Sequence, residues 1–350
     1  VRLPSTLVFD HPTPTAVAHH LLTEIGDTIT TAAAFGEVPG SVASTGQSRT
    51  GNRSGLGTLG TLLRHAHTSG SIRHTVPLLF EASRFQNSFA SAAELGDTSG
   101  YVVQLAARQA PDTAAADGTQ DDPTVVVRRG AGEDEKRLKI VCVPSFVVGS
   151  GPHQFMRFAA RFEGRRDVYV CTLPGFRGGE PVPASWEAAI EVLEQAIRHA
   201  VGGDPFVLVG YSIGGVVAHS LAARFEASGD SPVPVVMIDT PTPDGEEETD
   251  RVFSMVMTEI LSREDEAIVV DDANWLSMGT YMRLLTERPA ARITSRSLLI
   301  RAGELLGDTG QSWPAWEIAD DEVEVTADHF ALIESAAADT ADVTERWIGP

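Results

Sequence analysis

Three side chains in this sequence have the types and spacing for nucleophilic catalysis: Ser212, Asp239 and His329. A serine hydroxyl attacks an acyl carbon only when a base removes its proton. An imidazole base in turn needs a carboxylate to hold its tautomer and its developing charge. Ser212 stands in Gly210-Tyr211-Ser212-Ile213-Gly214, a G-x-S-x-G pattern between an apolar run, Phe206 to Val209, and a second one opening at Ile213. Read as strand, turn and helix, this is a nucleophile elbow. So tight a turn leaves no space for side chains two positions either side of the serine, hence Gly210 and Gly214, with Gly215 relieving the helix start. A structural Gly-Ser turn fits the same five residues, so the partners decide between the readings.

Of the ten histidines, His329 in TADHFALI follows an expected strand at Glu322 to Thr326. His11, His19 and His20 lie near the N-terminus, His65, His67 and His74 in leading helices, and His199 and His219 inside expected helices. His153 also follows a core strand but precedes the serine. Asp239 ends the expected strand Val235 to Ile238. Its competitors are Asp244, beside the acidic run Glu246 to Asp250 that reads as a helix start, then Asp271, Asp272 and Asp328. Asp328 adjoins the histidine and reads as a turn former. An oxyanion hole is expected from the backbone N–H of Ile213 and one from Phe146 or Val147, in the PSFVVGSG loop after the first core strand.

These groups need a frame that brings strand ends together. Strands expected at Leu138 to Val143, Asp167 to Cys171, Phe206 to Val209, Val235 to Ile238 and Ser297 to Ala302 are interleaved with helices at His153 to Phe162, Trp186 to Ala200 and Ile213 to Ala227. Such alternation predicts an α/β class with a mainly parallel sheet flanked by helices, whose ligands bind at the strands' carboxyl ends. The chain order Ser, Asp, His is that of the α/β-hydrolase fold. About sixty residues separate Asp239 from Ser297, more than a plain α/β unit needs, so a helical lid is expected at about 241–296. Its Met255, Met257, Trp275, Met278, Tyr281 and Met282, with Tyr211 beside the serine, either line a channel for a long apolar substrate or pack the lid on the core.

The chain has 350 residues, 42% hydrophobic and 21% charged, as in ordinary globular proteins. Its net charge of -21, from 48 acidic and 27 basic residues, argues against nucleic acid or an anionic membrane as partner. Cys142 and Cys171 each sit in a β-branched run, with neither disulfide framework nor metal pattern, which predicts a cytoplasmic setting. No apolar run is long enough for a transmembrane helix. Residues 1–25 read as a loop and a short helix, 26–56 as a flexible linker, 57–137 as leading helices with a loop, and 138–350 as the catalytic core. In the leading helices Leu59, Leu62 and Leu63 are expected on one face, and Val76, Leu79, Phe80 and Phe85 on another. These faces serve either their own domain or a second copy of the chain.

LPSTLVFDHPTPTAVAHHL resembles the last loop and helix of a polyketide-synthase acyl carrier protein, without that family's Asp-Ser-Leu phosphopantetheine site. VCVPSFVVGSGPHQF, LPGFRGGEPVPASWEA, PFVLVGYSIGGVVAHSLA, VVMIDTPTP, DDANWLSMGTYMRLL, LLIRAGELLG and TADHFALI resemble, in order and spacing, the terminal thioesterase domain of type I polyketide synthases. The resemblance spans roughly residues 138–348. It implies release of a finished polyketide: Ser212 takes the acyl chain from the carrier's phosphopantetheine, and water or an internal hydroxyl then cleaves the ester to a free acid or a macrolactone. It implies no bound cofactor, an upstream carrier protein and synthase module as partners, and a homodimer through the N-terminal helices. Such domains commonly have His and Ala beside the serine and a small polar residue where Phe146 stands. Bulkier Tyr211, Ile213 and Phe146 tilt the expectation toward hydrolysis. A free-standing esterase or editing thioesterase of the same fold, and a non-catalytic dimerisation module, are the alternatives.

Overall fold

The runs KIVCV, VYVC, FVLVGY and VVMI are apolar at almost every position, and such strands are stable only where helices cover both faces of the sheet. The computed structural model describes residues 58–108, 137–241, 246–263, 271–288, 292–305 and 319–349. The carrier-like segment and the linker expected before residue 57 lie outside them, as does most of the loop before residue 137. A minor pairing joins Ser88–Phe89 (β1) to Val182–Pro183 (β5). The main sheet takes Val102–Ala106 (β2), Lys139–Val143 (β3), Val168–Cys171 (β4), Phe206–Tyr211 (β6), Val235–Ile238 (β7), Ser297–Ala302 (β8) and Asp321–Val325 (β9). Its order is β2-β4-β3-β6-β7-β8-β9, with every pairing parallel except β2 with β4.

Strand alternation divides the core in two. Val141, Val143, Leu208, Val235 and Met237 join a cluster with Trp186–Val201 (α5) and Gly214–Ala227 (α6). Ile140, Cys142, Val207, Val209, Val236 and Ile238 face the other way, against Phe155, Phe158 and Phe162 and the C-terminal helix Ala337–Ile348 (α9). Expected and observed core strands agree to within two residues, and two other stretches differ. The helix expected at His153 to Phe162 is a 3-10 turn, Pro152–Phe155, followed by the short Met156–Ala160 (α4). The segment 57–137, expected as leading helices with a loop, also contributes β2, because the β-branched Val102 and Val103 complete the free edge of β4, pairing with Cys171 and Val170.

The expected lid is present as Glu246–Arg263 (α7) and Asp272–Glu287 (α8), between β7 and β8. The leading helices Thr58–Thr68 (α1) and Thr75–Ser83 (α2) pack against this lid, while the single turn Ala92–Leu95 (α3) that follows packs against α5. The Asp272 carboxylate accepts from the N–H groups of Leu59 and Gly60, at 2.8 and 3.4 Å, satisfying donors that the first turn of a helix leaves free. A Cβ at Gly279 would lie 2.8 Å from Leu79 Cγ and 3.0 Å from its carbonyl oxygen, so α2 meets α8 at a notch that only glycine provides. Gln86 bridges from α2 to the lid, donating to Ser277 Oγ at 3.3 Å and accepting from Thr280 Oγ1 at 2.9 Å. Leu63, Val76 and Leu79 are buried in this packing. The expected faces are corrected in part: Leu62 and Phe85 lie in solvent, 50% and 91% exposed, with Leu78 at 62%. Leu62 sits one position off the buried Gly60, Leu63 and Ala66 stripe, and Phe85 follows the end of α2. Among the described residues no helix is long and apolar enough to cross a membrane.

Candidate active site

β6 ends at Tyr211, and the chain turns through Ser212 into α6 with Ser212 at a φ of 54°. A non-glycine residue in this left-handed region costs on the order of 1–3 kcal/mol and persists where the surroundings impose it. The surroundings do so. A Cβ at Gly210 would lie 2.3 Å from Gly215 Cα, and one at Gly214 would lie 2.5 Å from the carbonyl oxygens of Val143 and Pro144. The same closeness presses the start of α6 against the loop after β3. Gly215 has a further reason: its Cβ would lie 1.9 Å from Thr240 Oγ1, just past the end of β7.

Asp239, with φ of 43°, is the second non-glycine residue in the left-handed region among those described. The Ser212 N–H donates to Ile238 O at 2.8 Å, so Ser212 and Asp239 leave adjacent strands side by side. Asp239 Oδ2 lies 2.7 Å from His329 Nδ1, and its Oδ1 accepts from the Ala302 N–H at 3.0 Å. The loop bearing His329 is tied to the end of β8 as well, through Gly303 N–H to Val325 O and Glu304 N–H to Ala327 O. Asp239 and the loop bearing His329 are thus held by one strand end. Ser212, Asp239 and His329 are 4, 6 and 4% exposed.

The competing residues have other work. Asp271 caps α8 through the Asn274 N–H, Asp272 caps α1, and Asp328 accepts from the Ala331 N–H as the expected turn former. Asp244 lies outside the described residues. His219 is buried within α6, and burial pushes its imidazole down to about 4. Among the described residues no group of three or more His, Cys, Asp or Glu could hold a metal.

Ile213 precedes α6, whose amino end carries the positive end of the helix dipole. Phe146 and Val147 lie in the loop against which Gly214 packs, and the Phe146 side chain is fully buried, stacked on Tyr281 of the lid at 5.5 Å. The Tyr281 ring also meets Phe176 at 5.8 Å, and its hydroxyl donates to Pro174 O at 3.0 Å. Of the residues considered for a channel, Met257, Trp275, Met278, Tyr281 and Met282 reach essentially no solvent and pack the lid on the core, while Met255 is half-buried beside Arg251. The Tyr211 ring stacks on His329 and its hydroxyl donates to the His329 carbonyl oxygen. Sequence reading missed that contact, and it missed the Ala302 N–H, a backbone donor without side-chain signature.

Residues 139–348 match the thioesterase domain family. The chain belongs to that family. Among its relatives are the polyketide synthase GfsE of Streptomyces halstedii, 34% identical over 77% of this chain, and the spectinabilin polyketide synthase system protein NorC of Streptomyces orinoci, 31% identical over 99%. The thioesterase domain and its flanks span only 7% and 14% of those two proteins. A solved Vlm2 thioesterase domain bound with a dodecadepsipeptide shares the fold, with a TM-score of 0.50, 17% identity, and 72% of this chain and 99% of that one covered. The thioesterase domain is accordingly a hydrolase of mainly parallel α/β architecture.

Proposed function

We propose that this thioesterase domain releases a polyketide from its synthase by serine catalysis. His329, oriented by Asp239, takes the Ser212 proton as Oγ attacks the thioester carbon. The N–H groups of Ile213 and of Phe146 or Val147 receive the oxyanion, and the phosphopantetheine thiol leaves with the proton. Water or a hydroxyl of the acyl chain then attacks the Ser212 ester, passes its proton through His329, and frees Ser212 with a carboxylic acid or a lactone. The acyl group arrives on an upstream carrier protein, and these steps use no other cofactor. The observation that carries the reading is the 2.7 Å contact of His329 with Asp239 beside a serine on a glycine-enclosed elbow. The polyketide synthase relatives supply the substrate class.

The expectation of hydrolysis rests on the bulk of Tyr211, Ile213 and Phe146, and the released product decides it. The test is intact mass spectrometry of the protein with a carrier-linked acyl thioester bearing a distal hydroxyl. One acyl mass on Ser212 is expected, followed by free acid or lactone, whose proportion assigns the acceptor. Acylation elsewhere, or equal turnover of simple esters, would overturn polyketide release in favour of a general esterase.

The reading includes a homodimer through α1 and α2, supported by the solvent-exposed Leu62, Leu78 and Phe85. Leu78→Asp with Phe85→Asp is expected to yield a monomer by light scattering with little change in Tm. A parent chain that is already monomeric would sink the dimer.

A further inference from the structure

G-x-S-x-G leaves the residue before the serine unspecified, and here that residue touches the base. Strand alternation sends Tyr211, with Val207 and Val209, to the core face opposite that of Leu208. On that face its ring lies over the His329 imidazole, with centroids 5.0 Å apart and planes 26° from parallel. Its hydroxyl donates to the His329 carbonyl oxygen at 3.1 Å. Phe330 meets the same imidazole edge-on at 5.1 Å. A flat ring on one face restrains rotation of the imidazole about its Nδ1 contact with Asp239, and the hydroxyl ties down the loop that carries the histidine.

We propose that Tyr211 is a positioning residue for the base: it joins His329 to the elbow, so that nucleophile and imidazole keep their relative placement through both steps of release. The proposal rests on the Ser212, Asp239, His329 reading and goes beyond it. A substrate wall or a mere space-filler would have no use for a hydroxyl directed at one particular carbonyl. Carboxylates beside His329 include Asp239 on Nδ1 and the adjacent Asp328, which is engaged by the Ala331 N–H.

The test uses Tyr211→Phe, which keeps the ring and volume, Tyr211→Leu, which removes the ring, and His329→Ala as a separate control, all on the full chain. Tyr211→Phe is expected to lower kcat about ten-fold through loss of one hydrogen bond, with KM within about two-fold. Tyr211→Leu is expected to lower kcat about a hundred-fold, the scale of a small misplacement of a catalytic group. Because a positioning role acts on the chemical step, the loss should fall on kcat and not on KM, and the Phe variant, which keeps the ring, should recover most of what the Leu variant loses. Unchanged kcat in the Phe variant, or a Leu variant whose loss falls on KM, would overturn the proposal. An active His329→Ala protein would instead sink the triad reading itself, and an inactive one beside fully active Tyr211 variants sinks only the positioning role.

Discussion

Ser212→Ala is expected to abolish covalent capture of the acyl chain and to lower kcat on a carrier-linked thioester by on the order of 10⁵–10⁶-fold, the scale found when a triad nucleophile is removed. The variant should fold. Serine and alanine pay similar steric penalties at a φ of 54°, and the contacts that enforce this turn come from Gly210, Gly214 and Gly215. The Ser212 N–H bond to Ile238 O is a backbone contact and survives the change. Intact mass after mixing with substrate gives a direct reading: the parent gains one acyl group and the variant gains none. An acylated Ser212→Ala protein would move the nucleophile elsewhere.

The second large effect is expected at Asp239→Asn, a loss of about 10⁴-fold in kcat at nearly unchanged volume. The two carboxylate oxygens have distinct duties, Oδ1 accepting from the Ala302 N–H and Oδ2 facing His329 Nδ1. An asparagine can keep its oxygen on Ala302 only by turning its NH₂ toward His329. That donor forces Nδ1 to accept, so the imidazole proton moves to Nε2, and the ring can no longer take a proton from Ser212 as a neutral base. The opposite rotamer would leave the Ala302 donor facing an NH₂, so the conflict has no cheap escape. Comparing kcat with KM separates this from a binding defect, because the carboxylate touches the base and not the substrate. Activity within ten-fold of the parent would show that another group orients His329.

Much of this was legible from local pattern. β-branched runs, the Gly-flanked serine, an aspartate at a strand end and a histidine after the last strand are short-range signals, and each element emerged within a residue or two of its expected place. Failures occurred where a residue's neighbours lie far away in the chain. Val102–Ala106 has no strong period of its own and became a strand because β4 presented an unpaired edge. Phe85 and Leu62 carry the hydrophobicity of core residues, yet only the fit of α2 into the Gly279 notch decides which side chains are covered.

The sequence by itself determined the α/β class, the Gly-flanked turn at Ser212, the chain order of Ser212, Asp239 and His329 at strand ends, and the presence of a helical lid, since these follow from residue type and period along the chain. Only the tertiary structure decided that the lid aromatics are packed into the core, that both oxygens of Asp239 are committed, and that Tyr211 belongs to His329 across a separation of 118 residues. The physical reason is that hydrogen bonds and ring contacts act over a few ångströms, and which groups come that close is set by strand pairing and helix packing between distant segments.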